Sequence, residues 1–421
     1  MNPETTTPDH PVLEDTYEAE LTSRLSRELL NGRRDFSQLL MHAEGAYPTD
    51  VRTALRKLEK AGQIHLTSSG FWEQSAIAGE PVKTSAFCDR PASLSVSDLP
   101  EPHPLDFDWR FSGETLRSLC KRISARQGEP VAVLGAPTLY KYLVDSGMDA
   151  WLFDKNIHII TSLRESGYLS VIECDLFHFA EEPPRFSSAL ADPPWYMEHY
   201  RAFLDAASRM LLPGGQLFIS VLPRLTRPSA AIDRFRILET AVELGFDLSE
   251  MNPAVLQYAS PPFESEALRA ESISVKDWRT GDLFTFVRRM ETPRRQVLTG
   301  AKTTDRWESI LLGNTTIKVR VQQASAEPFD YMGASHTGEL RLRSVSRRSP
   351  ARSRVNLWTS RNLALVVSNT TLVVAVLRKI EAGLSTTEAL SIIGYEYQLK
   401  IADQAKLESL IHLLQRDADS K

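Results

Sequence analysis

Cysteine, long apolar runs and an excess of one charge sign are all scarce in this 421-residue chain. The three cysteines are far apart and lack metal-ligand spacing, which predicts reduced thiols in a cytoplasmic protein without a metal site. The longest apolar run, residues 363–377, is interrupted by Ser368-Asn369-Thr370-Thr371 and is too short for a membrane span. The polar, acidic N-terminus shows no signal peptide. The net charge of −5 argues against nonspecific nucleic-acid binding by the whole chain.

The N-terminal part carries three helical patterns and a short strand after a polar tail predicted for residues 1–16. This order over residues 17–75 resembles a winged helix domain. Its third helix carries Arg52, Arg56, Lys57 and Lys60, which are consistent with DNA binding through that helix. The solvated face of a dimerisation or substrate-gating module is the alternative, and the acidic balance of the whole chain favours it. Residues 76–108 are rich in Pro, Ser and Asp, and are predicted to be a linker.

Strands and helices alternate over residues 109–290. The apolar runs that predict the first five strands are 131–134, 150–153, 171–172, 187–191 and 216–221. Such alternation is typical of an α/β fold, a mainly parallel sheet with helices on both faces.

The strand ends carry the residues of a known pattern. A glycine or an aspartate follows each of the first four strands, and Leu-Leu-Pro-Gly-Gly precedes the fifth. This layout resembles the class I S-adenosylmethionine-dependent methyltransferases, which implies a Rossmann-like sheet and S-adenosyl-L-methionine (SAM) as cofactor. The residues that the resemblance assigns to the cofactor are Gly135, Ala136, Thr138, Asp154, Asp175 and Leu176. Asp154 would bind the ribose and Asp175 would face the adenine, although both aspartates are also typical helix N-caps.

The most specific stretch is Asp192-Pro193-Pro194-Trp195-Tyr196, directly after the fourth strand. It resembles the Asp-Pro-Pro-aromatic motif of amino-group methyltransferases, including those that methylate adenine N6. The resemblance implies that Asp192 and the Pro193 carbonyl accept N–H groups of the acceptor amine, and that Trp195 stacks on a base. Pro194 would stiffen the loop. A rigid corner with a packed tryptophan is the alternative.

A second family has the same order of parts. Branched-chain polyamine synthases combine a winged helix, a linker and a Rossmann-like domain with Asp-Pro-Pro-Tyr. They transfer an aminopropyl group from decarboxylated SAM. That family carries Gly-Asp-Asp-Asp after its first strand, whereas this chain has Gly135-Ala136-Pro137-Thr138. A third hypothesis is a non-catalytic regulator that keeps the fold and binds nucleic acid or protein.

Residues 296–421 predict an α+β accessory domain that resembles no family. Arginines, including Arg347 and Arg348, crowd residues 341–354, so phosphate or substrate binding competes with a solvated basic loop. The β-branched residues on both sides of Asn369 predict a hairpin there. Tyr196 and Phe263 are expected to line the acceptor pocket, Phe263 from a second Pro-Pro-aromatic loop.

The leading hypothesis is therefore a SAM-dependent N-methyltransferase in which Asp192 orients an amine. Its expected partners are an amine-bearing substrate, with nucleic acid as one candidate, and a second copy bound through the winged helix domain. The second hypothesis is an aminopropyl transferase that uses decarboxylated SAM.

Overall fold

The computed structural model describes residues 10–75, 99–124, 129–179, 184–289, 306–321, 328–347 and 349–419. The N-terminal domain consists of α1 (His10–Leu30), α2 (Phe36–His42), α3 (Pro48–Lys60), β1 (Ile64–Leu66) and β2 (Trp72–Gln74). Helix α1 begins at His10, so the predicted tail is wrong for residues 10–16, while residues 1–9 lie outside the described residues. The proline at position 11 is compatible with a helix because the first turn needs no hydrogen bond from its nitrogen.

The central domain is built around an eight-stranded sheet in the order β3-β9-β10-β8-β7-β4-β5-β6. Its strands are β3 (Arg110–Phe111), β4 (Val131–Leu134), β5 (Ala150–Asp154), β6 (Val171–Glu173), β7 (Phe186–Ala191), β8 (Leu211–Val221), β9 (Phe246–Ala259) and β10 (Thr280–Arg288). Its helices are α4 (Gly113–Ser124), α5 (Pro137–Asp145), α6 (Ile157–Glu165), α7 (Met197–Met210), α8 (Ala230–Glu243) and α9 (Pro262–Ala270). Strands β4 to β8 pair in parallel, and β10 is antiparallel to both of its neighbours. The predicted mainly parallel sheet, flanked by helices, is confirmed.

The C-terminal domain is a five-stranded antiparallel sheet in the order β11-β12-β14-β15-β13, with three helices. The strands are β11 (Trp307–Leu312), β12 (Thr315–Arg320), β13 (Tyr331–Gly333), β14 (Leu357–Thr359) and β15 (Ala364–Val367). The helices are α10 (Thr370–Glu381), α11 (Thr386–Glu396) and α12 (Ile401–Asp419). The predicted hairpin around Asn369 is wrong, because Asn369 caps α10. Packing overrides β-propensity here, since Leu372, Val373, Val376 and Leu377 are buried at helical spacing.

The three domains pack against one another. The core of the N-terminal domain includes Leu225, Leu268 and Trp278 of the central domain. The Arg361 guanidinium of the C-terminal domain pairs with Glu101 at 2.7 Å. Glu101 lies in the segment predicted as a linker, so the described part of that segment is firmly packed, while residues 76–98 lie outside the described residues. No helix in the described stretches has the length and apolar character needed to span a membrane.

A candidate active site at the carboxyl edge of the central sheet

The order of the strands reverses between β4 and β7. Strand β5 continues on one side of β4, and β7 lies parallel to β4 on the other. Gly135 follows β4 and Asp192 follows β7, and the Asp192 amide donates to the Leu134 carbonyl at 3.1 Å. Ligands of open α/β sheets bind outside the carboxyl ends of the strands at such a reversal. A cavity of about 790 Å³ opens at this point.

A second depression, of about 860 Å³, lies beside α12 near Gly313 and His412. It is more open to solvent and contains none of the residues assigned to a site from the sequence. The smaller cavity brings most of those residues together, so we assign the candidate site to it.

The Asp192 carboxylate ends a chain of hydrogen bonds. The Tyr258 hydroxyl donates to Asp192 Oδ1 at 2.8 Å, and the Ser220 hydroxyl lies 2.6 Å from the Tyr258 oxygen. The Trp195 indole N–H donates to Ser220 Oγ at 3.2 Å. Burial raises the pKa of Asp192 to about 7, although the hydrogen bonds of Tyr258 and Ser220 oppose the shift. Asp192 is partly exposed and lines the cavity, so its carboxylate can accept a further hydrogen bond there.

The two prolines after Asp192 have different hydrogen bonding. The Tyr196 amide donates to the Pro194 carbonyl at 2.6 Å, which ties the loop together. The Pro193 carbonyl accepts no hydrogen bond from any residue that the structure describes. Because a carbonyl needs a partner when it is shielded from water, this oxygen is available to an N–H group in the cavity.

Trp195 does not offer an open ring face. The Arg279 guanidinium carbon lies 4.0 Å from the centre of its ring and 4.3 Å from that of Trp109. The Trp195 side chain is only 6% exposed. Arg279 already packs over the Trp195 ring as a cation–π pair, so stacking of a nucleobase on Trp195 would have to compete with this contact and stays a prediction.

Gly135 and Asp154 also line the cavity. Gly135 has φ +65°, and a Cβ atom there would lie 3.1 Å from the Phe203 ring, so only glycine fits without strain. One Asp154 oxygen accepts the Asn156 amide at 2.8 Å. Burial, with the charges of Asp108 and Asp106 nearby, raises the pKa of Asp154 to about 7. This half-buried carboxylate lines the cavity and has an oxygen to spare for a ligand hydroxyl.

The other residues assigned to the cofactor are divided. Leu176 and Asp175 line the cavity. Asp175 also caps the short helical turn Leu176–His178 by accepting the Phe177 amide, and it pairs with His178 at 2.8 Å. Ala136 and Thr138 are buried and do not line the cavity.

The residues assigned to the acceptor line the other half. Phe263 packs edge-on against Trp109 at 6.1 Å. The Arg347 guanidinium lies 4.1 Å from the centre of the Tyr196 ring and pairs with Glu198 at 2.5 Å. Arg347 thus brings the C-terminal domain to the mouth of the cavity. Arg348 lies outside the described residues.

Helix α3 forms a wall of this cavity. Tyr47, Thr49, Asp50 and Arg52, at its N-terminal end, all line the space. The Arg52 guanidinium pairs with Glu271 of the central domain at 2.8 Å. The N-terminal part of this helix therefore faces the candidate site, while the choice between DNA binding and a dimerisation or gating module stays open.

Several lining residues carried no assignment from the sequence. They are Tyr47, Trp109, His199, Tyr258, Glu264 and Arg279. Tyr258 and Glu264 bound the second Pro-Pro-aromatic loop, which the sequence offered as a cap of the acceptor pocket without a role for either residue. Burial, with the charge of Arg347 nearby, lowers the pKa of His199 to about 4, so this imidazole is neutral. Arg279 has no local signal.

No protein-family model and no curated protein sequence matches this chain. The branched-chain polyamine synthase from Thermus thermophilus, in complex with N4-aminopropylspermidine and 5'-methylthioadenosine, has a similar structure. The match has a TM-score of 0.52 at 15% identity and covers 69% of this chain and 95% of that one. A mutein of that synthase with the same two ligands gives 0.54 at 12% identity with the same coverage.

The N-methyltransferase NodS from Bradyrhizobium japonicum, in complex with S-adenosyl-L-homocysteine, matches 41% of this chain and 84% of its own at a TM-score of 0.28 and 14% identity. At these identities, the likeness to the synthase establishes the fold alone. The central sheet is Rossmann-like, as the sequence predicted.

Proposed function

We propose that this protein transfers a methyl group from SAM to an amine nitrogen. The observation that carries the proposal is the Asp192 carboxylate, partly exposed at the strand-order reversal beside Gly135 and supported by Tyr258. Methyltransferases and polyamine synthases of this fold share adenosyl ligands, which supports a cofactor of that class.

The residues around Gly135 fit such a cofactor. The spare oxygen of Asp154 suits a ribose hydroxyl, and the absence of a side chain at Gly135 leaves backbone for close approach. Leu176 lines the same half and suits an adenine ring. When bound, SAM would supply an electrophilic methyl carbon on sulfur.

Asp192 and Pro193 would prepare the amine. The carboxylate and the free Pro193 carbonyl accept its N–H groups and thereby aim its lone pair, which is a gain from positioning. Bond formation leaves the nitrogen with a proton to lose. Asp192, with a pKa of about 7, can take that proton at neutral pH.

Aminopropyl transfer from decarboxylated SAM is the second candidate. Asp106 and Asp108 line the cavity near Asp154 and are the kind of residue that a free cofactor amine would require. Both carboxylates are already paired, Asp106 with Lys318 and Asp108 with Arg110. This pairing favours methyl transfer over the aminopropyl reaction.

Calorimetric titration with SAM and with decarboxylated SAM tests the proposal. We expect SAM to bind more tightly, whereas preference for the decarboxylated form would replace methyl transfer with aminopropyl transfer. Binding of neither compound would leave a non-catalytic regulator.

Two isosteric variants separate cofactor binding from chemistry. Asp154→Asn should weaken SAM binding roughly 10–100-fold, because it removes a charged hydrogen-bond acceptor. Asp192→Asn should bind SAM like the native protein, yet transfer no labelled methyl group to a panel of amines. Activity in Asp192→Asn would disprove the role of the carboxylate.

A further inference from the structure

Five arginines line the cavity, namely Arg52, Arg227, Arg279, Arg343 and Arg347. Four of them pair with a carboxylate, at distances between 2.5 and 2.9 Å. The Arg279 side chain has no hydrogen bond or ion pair with any residue in the described part of the chain. Arg279 is therefore unlike the other arginines of the site.

The surroundings of Arg279 restrict where a partner can bind. Its guanidinium carbon lies 4.3 Å from the ring centre of Trp109 and 4.0 Å from that of Trp195, so both indoles pack against it. Its Nε atom is buried without an acceptor. Only the edge of the guanidinium, where its N–H groups point, remains for hydrogen bonds, and leaving such donors unmatched is costly.

The nearby acids do not provide that match. Asp192 and Glu264 influence the charge of Arg279, but neither forms an ion pair with it. Burial raises the pKa of each carboxyl to about 7, so both are partly protonated at neutral pH. The Tyr47 hydroxyl interacts with the Glu264 carboxyl and opposes the rise of its pKa. The Arg279 Nε atom therefore remains buried without an acceptor among the described residues.

We propose that Arg279 binds an acidic group, a carboxylate or a phosphate, carried by the acceptor. The inference rests on the proposed function, which places the acceptor amine at Asp192. A planar guanidinium matches either anion with two parallel hydrogen bonds. Asp192 is linked to Trp195 through Tyr258 and Ser220, and Arg279 packs over the Trp195 ring. The amine and the acidic group would therefore belong to one small molecule. A polyamine, in contrast, would bring a second positive charge beside Arg279.

Pairs of amines that differ in the acidic group provide the test. β-Alanine is compared with propylamine, and O-phosphoethanolamine with ethanolamine, by calorimetry in the presence of S-adenosyl-L-homocysteine. We expect at least one acidic amine to bind about tenfold or more tightly than its neutral counterpart, and the stronger pair tells carboxylate from phosphate. Equal binding within both pairs, no binding of either acidic amine, or tighter binding of spermidine would overturn the proposal.

Variants show whether Arg279 itself makes the contact. Arg279→Gln should abolish the preference, and Arg279→Lys, which keeps the charge but loses the planar fork, should reduce it several-fold. Arg343→Gln removes the same charge from an arginine that lines the cavity and pairs with Glu339, and should leave the preference unchanged. A preference that persists in Arg279→Gln, or that disappears equally in Arg343→Gln, would contradict the assignment. If Arg279→Gln does not fold, the comparison of Arg279→Lys with Arg343→Gln decides.

Failure of this inference can be told apart from failure of the proposed function. Titration with SAM and the loss of transfer in Asp192→Asn do not depend on Arg279. If both hold while the acidic amines show no preference, the protein is an N-methyltransferase with a different acceptor class.

Discussion

The two halves of the cavity have different origins along the chain. Gly135 and Asp154 end neighbouring parallel strands of one domain, so the turn after each strand delivers its residue to the same edge. The half around Trp195 combines Tyr47 of the N-terminal domain, Arg279 of the central domain and Arg347 of the C-terminal domain. The first half follows from local sequence and sheet topology, whereas the second exists only when three domains pack together. Under the proposed function we call the half around Gly135 and Asp154 the cofactor half and the half around Trp195 the acceptor half. Residues of the acceptor half can therefore change without a change in the cofactor half.

Two glycines, one in each half, allow the same substitution by alanine to test the two halves independently. A Cβ atom at Gly135 would lie 3.1 Å from Phe203, and one at Gly281 would lie 3.2 Å from both Trp195 and Tyr258. Gly135→Ala adds strain of about 1–2 kcal/mol because of its positive φ, and should weaken SAM binding about tenfold or more. Gly281→Ala should reduce kcat and leave SAM affinity unchanged.

Calorimetry for SAM and initial rates of methyl transfer measure the two effects, and thermal melting shows whether each variant folds. Loss of SAM affinity in Gly281→Ala would mean that the two halves are coupled rather than separate.

The second prediction concerns pH. Because the pKa of Asp192 is raised to about 7, its carboxyl is mostly protonated at pH 6 and cannot accept an N–H group or a proton. With an acceptor whose amine stays neutral, kcat/KM should therefore rise with pH through about 7 and fall about tenfold per unit below it. Tyr258→Phe removes a hydrogen bond that stabilises the ionised carboxylate, so the rising limb should move to higher pH.

The control for this profile is Glu264→Gln. Glu264 also has a pKa near 7, but it does not belong to the hydrogen-bond chain of Asp192. The limb should stay in place in Glu264→Gln. If the rising limb moves in Glu264→Gln and not in Tyr258→Phe, the titrating group is Glu264 and the role given to Asp192 is wrong.

The sequence predicted those features of the fold and of the site that depend on residues close together along the chain. The alternation of strands with helices predicted the sheet, and the aspartates at strand ends led to Asp154 and Asp192. The distant partners were out of reach, because β9 brings Tyr258 to Asp192 across 66 positions. Arg279 follows a loop with no motif. Its place in the site depends on Trp109 and Trp195, which come from other segments of the chain. The hairpin predicted around Asn369 was wrong for the same reason, because burial in the C-terminal core made the following residues a helix.

The smallest effect we predict concerns helix α3, which tests whether this domain belongs to the acceptor half. Arg52 pairs with Glu271 beside the cavity, whereas Arg56 is exposed on the same helix. Breaking this half-buried pair in Arg52→Gln should cost about 1 kcal/mol and raise KM for the acceptor a few-fold, without change in SAM affinity. Arg56→Gln should leave both constants unchanged. If α3 were instead a DNA-reading helix, Arg56→Gln would weaken duplex binding measured by fluorescence anisotropy, and KM would not respond to Arg52→Gln. The acceptor half would then consist of the central and C-terminal domains alone, and the packing of α3 against it would have no part in substrate binding.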